Sequence, residues 1–214
     1  MIDTGNKLAE VFRDVHTHKE VAGIIIRHLT SKRDVRYEAL KTLNLRNSRN
    51  ILDLGCGFGF FTRALKGKIP AGSRVTGIDR YPEYQQLYLE SCEETGIPGN
   101  FLGDGVCSIR EIPDNTIDLV ICSYAMNFLN PCFHEVIRKK YRSCLLFKVK
   151  DFDDFVSYFQ FKHRFFIPEH VNIDMEEKLL KSVRTDMQKG KKFRITKDDM
   201  IFICSRPKKL PRYD

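Results

Sequence analysis

The run Ile51-Leu52-Asp53-Leu54-Gly55-Cys56-Gly57-Phe58-Gly59 constrains the fold more than any other stretch of the 214 residues. An apolar strand runs straight into a glycine loop. Glycines at that point let the backbone turn tightly and let a ligand come close. Asp79 ends the next apolar stretch, Val75-Thr76-Gly77-Ile78-Asp79. A carboxylate placed there can accept both hydroxyls of a ribose. The two features together predict a nucleotide-type site at the carboxyl ends of parallel strands.

Two details separate this loop from a dinucleotide site. The glycines read G-x-G-x-G, and Phe60 stands where the dinucleotide fingerprint places its third glycine. Asp53, within the strand end, would repel a pyrophosphate but suits a sulfonium ligand that also carries an ammonium group.

The rest of the chain supplies strands and helices in alternation. Apolar strands are expected at Asn50–Leu54, Arg74–Asp79, Asn100–Leu102, Ile117–Ser123 and Cys144–Val149. The fourth is apolar in its middle, as a strand buried on both faces would be. Helices are expected over Phe60–Lys66, from Pro82 to about Thr95, and over Pro131–Arg142. Such alternation implies right-handed crossovers and a parallel sheet. Phe193–Thr196 and Met200–Ser205, around the polar Lys197-Asp198-Asp199, predict an antiparallel hairpin. Residues 5 to 46 have helical spacing, as at Leu8, Val11, Phe12 and Val15.

Composition narrows the function classes. No apolar run approaches the ~20 residues that span a bilayer, and the N-terminus lacks the zones of a signal peptide. Seven cysteines, with no C-x-x-C pair, argue against a disulfide framework or a zinc ribbon and predict a cytoplasmic protein. His16, His18 and His28 lie on different faces of the expected helix, so no metal is expected and surface roles are assigned to them. The net charge of +8 favours an anionic partner, RNA among them, although solvated surface charge explains each basic cluster.

Residues 50 to about 150 resemble a class I S-adenosylmethionine-dependent methyltransferase. The matching pieces are Asp53–Gly59, Val75–Asp79, Gly103-Asp104-Gly105 and Asp114–Ser123; the last is similar to the strand-four motif of the family's small-molecule members. The resemblance implies an α/β, Rossmann-like, mostly parallel seven-stranded sheet with an antiparallel C-terminal hairpin strand and helices on both faces. Residues 1–46 would form an N-terminal helical lid, and 47–214 the cofactor-binding domain. S-adenosylmethionine would be the cofactor. Gly55, Cys56, Gly57, Phe58 and Gly59 would pack on its methionine part, and Asp53 would hold its amino group. Asp79 would bind the ribose, with Arg80 beside the adenine. Asp104, Gly105 and Val106 would serve the adenine ring, and Ser123 and Tyr124 would floor the site.

Tyr124, Asn127 and His163 are the candidates for acceptor contact or base. In-line methyl transfer needs alignment above all, and a general base only where the acceptor must lose a proton early. A small-molecule acceptor is the expectation. RNA is the alternative, although Cys122-Ser123-Tyr124-Ala125 lacks the Asn/Asp-Pro-Pro-Tyr type of motif. A catalytically inactive partner subunit is the third reading, and the intact glycine loop argues against it. Phe152, Phe155 and Phe159 have helical spacing and are read as a face packed on the sheet. Phe161, Phe165 and Phe166 are left as candidate acceptor contacts.

Overall fold

A computed structural model describes residues 12–31, 34–123, 135–166 and 173–204. The chain divides into two compact units. One is built from the described parts of 33–142 and 198–214, the other from those of 1–32 and 143–197.

The first unit is organised by a parallel sheet of β1 (Asn50–Leu54), β2 (Arg74–Ile78), β3 (Gly99–Leu102) and β4 (Leu119–Cys122), in the order β3-β2-β1-β4. The register aligns Asp53 with Gly77 on one side and Ile121 on the other. The chain steps outward from β1 to β3, then returns across β1 to β4, so the order reverses beside β1. That reversal opens a crevice at the carboxyl ends of the strands.

Side chains alternate across the strands. Ile51, Val75 and Ile121 pack with Leu40, Leu45, Leu65, Tyr88 and Cys92. Leu52, Leu54 and Ile78 pack on the other face with Leu102, Ile112 and Ile117. On the first face lie α2 (Val35–Leu40) and α3 (Gln85–Thr95). Pro82 opens the 3-10 turn that leads into α3, and Gly96, at φ 71°, closes it.

Three glycines let α3 come close. A Cβ at Gly77 would lie 2.4 Å from Tyr88 Cζ, one at Gly99 2.3 Å from Cys92 Sγ, and one at Gly59 2.6 Å from Ser91 Cβ. Tyr88, Ser91 and Cys92 share one helix face at i, i+3 and i+4. Each fills the space of a missing side chain. The sheet, the helix and the glycine loop are thereby keyed together.

The second unit contains α1 (Val15–His28), α4 (Phe152–Phe166) and α5 (Ile173–Gln188). Its core joins Val21 and Ile24 of α1 to Leu145, Phe147, Phe155, Tyr158, Phe161, Val183 and Met187. Asp14 caps α1 by accepting from the Thr17 N–H at 3.1 Å. Asp154, in the first turn of α4, accepts from Arg27 and sits 2.6 Å from His28 Nε2.

Several expectations are corrected. The sheets comprise four parallel strands and a separate antiparallel pair, β5 (Glu135–Phe147) with β6 (Phe193–Cys204), and not a single seven-stranded sheet. Glu135–Arg142, expected as helix, is strand, and the expected fifth parallel strand is the end of the same β5. Ser143, Leu145 and Phe147 are buried at alternate positions, and pairing with a distant strand overrides the local helical pattern. Lys197-Asp198-Asp199 is not a turn. Asp198 accepts from Arg142 at 2.8 and 3.1 Å across the pair, so the polar tripeptide continues β6. Phe60–Lys66 holds only a 3-10 turn, Thr62–Leu65. In β4, Val120 is 52% exposed, so the strand is not covered on both faces by the described residues.

Two assignments within the helices also change. Phe161 lies in the core and is not an acceptor contact. His18 is packed, not superficial: it stacks on Phe161 at 6.0 Å, and burial with the nearby Lys162 charge lowers its pKa to about 4. Phe155 is buried in the helix face as its spacing predicts. No helix among the described residues is long and apolar enough to cross a membrane.

Candidate functional site

The ends of β1, β2 and β3 are laced together by backbone hydrogen bonds. Gly55 and Cys56 donate their N–H groups to Ile78 O at 2.8 and 3.1 Å. Asp79 donates to Leu102 O at 3.2 Å, and Gly105 donates to Asp79 O at 3.0 Å. Gly55, Gly57 and Gly59 sit at φ 68°, 49° and 77°, a region that other residues enter only at a cost. Here the loop's sequence follows directly from its shape.

Asp79 is the junction of the site. Its Oδ2 accepts from the Gly57 N–H at 2.8 Å, and its Oδ1 from the Tyr81 N–H at 3.1 Å. Burial raises its pKa, against the lowering effect of the Tyr81 and Gly57 N–H groups. Each oxygen retains a lone pair for a further donor.

Asp53 lies beneath the loop at 1% exposure. Thr62 Oγ1 donates to its Oδ2 at 2.8 Å, while Oδ1 is buried with no hydrogen-bond partner. Burial is the main reason its pKa rises to about 7; the Thr62 bond opposes the rise and the Asp79 charge adds to it. A buried carboxylate oxygen without a donor is costly, and a cationic group reaching it would relieve that cost.

The other expected residues are placed as follows. Cys56 and Phe58 are buried in protein, so they can serve a ligand only through their backbone. Asp104 is exposed, and its N–H donates to Ser108 Oγ at 3.3 Å. Arg80 is exposed, with its guanidinium 5.9 Å from the Tyr81 ring centre. Val106 lies in the 3-10 helix Gly105–Glu111. Ser123 is half-buried immediately after β4. Tyr124 and Asn127 lie outside the described residues. The backbone of His163 is in α4, but its side chain is likewise outside them.

Four supporting residues escaped the sequence reading. Thr62 holds Asp53, and Tyr88 fills the space opposite Gly77. Ser91 Oγ donates to Phe58 O at 2.7 Å. Arg36 donates to Phe60 O at 2.7 Å and places its guanidinium 4.0 Å from the Phe60 ring centre. Only the i, i+3 spacing of Tyr88 and Ser91 opposite a glycine-rich stretch carried any signal for them.

The site was tested for fit to S-adenosylmethionine. The ligand is cationic at sulfur and at its amino group and carries a ribose. An unpartnered buried carboxylate oxygen, a second carboxylate at the strand junction and a glycine cradle match those groups in charge and shape. Among the described residues no cluster of His, Cys, Asp and Glu could hold a metal ion.

Comparison with known proteins agrees. Residues 51–145 match the family model described as a methyltransferase domain. An uncharacterized methyltransferase of Schizosaccharomyces pombe is 30% identical over 93 residues, 43% of this chain and 33% of that protein. A demethylmenaquinone methyltransferase of a Geobacillus species is 24% identical over 139 residues, 64% of this chain and 57% of that protein. The chain thus spans between a third and somewhat over half of these relatives. A solved S-adenosylmethionine-dependent methyltransferase from Aquifex aeolicus is 20% identical, with a TM-score of 0.40, covering 57% of each chain. Through residues 51–145, this chain carries a methyltransferase domain of the class I, Rossmann-like, S-adenosylmethionine-dependent family.

Proposed function

We propose that the protein transfers a methyl group from S-adenosylmethionine to a small-molecule acceptor. One observation carries the cofactor half: Asp79, accepting from the Gly57 and Tyr81 N–H groups, stands beside the buried, half-partnered Asp53. When bound, the cofactor supplies a methyl group on a good sulfur leaving group. Asp79 accepts from the ribose hydroxyls, with Arg80 alongside the adenine. Asp53 holds the amino group, directly or through water. The Gly55–Gly59 backbone packs on the methionine part, and Asp104 with the Gly105 and Val106 N–H groups recognises the adenine edge. Ser123 and Tyr124 floor the site.

On the acceptor side, Tyr124 and Asn127 follow β4 in sequence and are proposed to orient the acceptor. His163 is the proposed base where a proton must leave. Alignment supplies much of the acceleration in such a displacement. Quinone-methylating enzymes among the relatives support a small acceptor. RNA is the second reading, favoured by the net charge of +8.

Incubating the full chain with methyl-labelled S-adenosylmethionine and, separately, a cell-extract metabolite fraction or total RNA tests the acceptor. Label is expected in the metabolite fraction. Label in RNA alone would replace this acceptor class. Label in neither, with cofactor binding intact, would favour the non-catalytic partner subunit.

A further inference from the structure

A second cleft lies in the same unit as the sheet, away from the glycine loop. Tyr37, Leu40, Lys41, Leu43, Asn44, Leu45, Arg46 and Lys68 enclose about 370 Å³, within the usual size of a small-ligand site. Leu45 and Arg46 come just before β1, and Lys68 comes before β2. The cleft therefore belongs to the end of the sheet where strands begin, whereas the glycine loop lies where they finish.

Its lining combines three chemistries. Leu40 and Leu45 are buried and Leu43 packs against the same core, which makes an apolar floor. Tyr37 remains 40% exposed, although Lys68 Nζ stands 4.9 Å and Arg36 Cζ 5.7 Å from its ring centre. Lys41, Arg46 and Lys68 provide the charge, and no acidic side chain lines the cleft. Lys41 is paired with Glu38 at 2.8 Å. Neither Arg46 nor Lys68 meets a carboxylate among the described residues. An exposed aromatic ring on an apolar floor, next to two unpaired cations, matches a planar group joined to an anion. Bases stack on aromatic side chains regardless of sequence, and lysine and arginine hold phosphate.

We propose that this cleft binds a nucleoside monophosphate unit, with the base against Tyr37 and the phosphate between Arg46 and Lys68. The unit is either a free nucleotide or one residue of an RNA strand. The site is independent of the cofactor loop.

Uridine 5'-monophosphate, ten-residue oligouridylate and inorganic phosphate are titrated into the full chain. The pyrimidine ligands keep clear of any adenine recognition near Asp104. Calorimetry serves the small ligands, and fluorescence anisotropy across salt concentrations serves the oligomer. The nucleotide should saturate the protein, with phosphate at least about tenfold weaker. Tyr37→Ala should weaken the nucleotide about tenfold. Arg46→Gln with Lys68→Gln should weaken it too, and should flatten the oligomer's salt slope by about 1.4, or about 0.7 per lost phosphate contact. Circular dichroism confirms that the variants are folded; an Arg46→Lys variant should retain binding and covers the case where a glutamine variant does not fold. Tighter oligomer binding with a steep salt slope assigns the site to RNA, and equal affinities assign it to a free nucleotide. Three results overturn the proposal: no saturation by nucleotide or oligomer, folded variants that bind as the parent does, or phosphate that binds as tightly as the nucleotide.

Discussion

Asp53→Asn isolates the cost of keeping a buried carboxylate under the glycine loop. Asparagine keeps the shape and an oxygen for the Thr62 hydroxyl, but it cannot ionise. In the folded parent the Asp53 pKa lies at about 7, chiefly through burial, against about 3.9 in an unfolded chain. Between those values the folded state binds the proton and the unfolded state does not. Stability contributed by protonated Asp53 is therefore complete at low pH and is lost as pH rises to about 7. From pH 5 to pH 8 that loss spans two pH units at about 1.4 kcal/mol each, or about 3 kcal/mol. The new amide N–H groups, if unpartnered, cost about 1–3 kcal/mol at every pH, which shifts the variant's curve without tilting it. His18, whose pKa is lowered to about 4, has the opposite sign: its contribution is lost as pH falls from about 6.5. It is common to both proteins and cancels in their difference. Urea unfolding followed by far-ultraviolet circular dichroism at pH 5 and pH 8 gives that difference. The variant should gain on the parent by about 3 kcal/mol between the two pH values. A difference that stays constant within 0.5 kcal/mol, on the order of the usual additivity error, would refute the assignment of an ionising, buried Asp53.

Other perturbations report on the loop and its supports. Gly77→Ala places a Cβ 2.4 Å from Tyr88 Cζ and 2.7 Å from Cys56 Sγ and should destabilise the protein by about 1–3 kcal/mol; Tyr88→Leu in the same chain should recover part of the loss in thermal unfolding. Asp79→Ala removes the acceptor of two N–H groups and the proposed ribose contact. It should weaken S-adenosylhomocysteine about tenfold or more, as calorimetry on the folded variant can read. Ser91→Ala removes the bond to Phe58 O and should cost about 0.5–1.5 kcal/mol in urea unfolding.

The part of the fold that was legible in sequence is the part whose signals are local. Asp53, the glycines and Asp79 announce strand ends and turns because backbone geometry permits few other residues there, and β1, β2 and the helix ending at Gly96 all lie within a residue or two of their expected bounds. What failed was decided at long range. Glu135–Arg142 carries a helical pattern, yet it pairs with a strand far along the chain. Lys197-Asp198-Asp199 has turn composition, yet Arg142 supplies Asp198 with a cross-strand partner. His18 has the polarity of a surface residue, but neighbouring aromatic rings enclose it. At the site, the carboxylates were legible and their supports were not. Thr62, Ser91 and Arg36 act through single hydrogen bonds that leave no periodic trace.

The central claim is that the loop at Asp53–Gly59, with Asp79, selects a cationic sulfonium cofactor over a dinucleotide. Parallel calorimetric titrations of the full chain with S-adenosylmethionine, S-adenosylhomocysteine and NAD test it most directly. Saturable binding of the first two with one site each, and no heat of binding with NAD, is the expected result. Saturable NAD binding, with none for S-adenosylmethionine or its product, would contradict it.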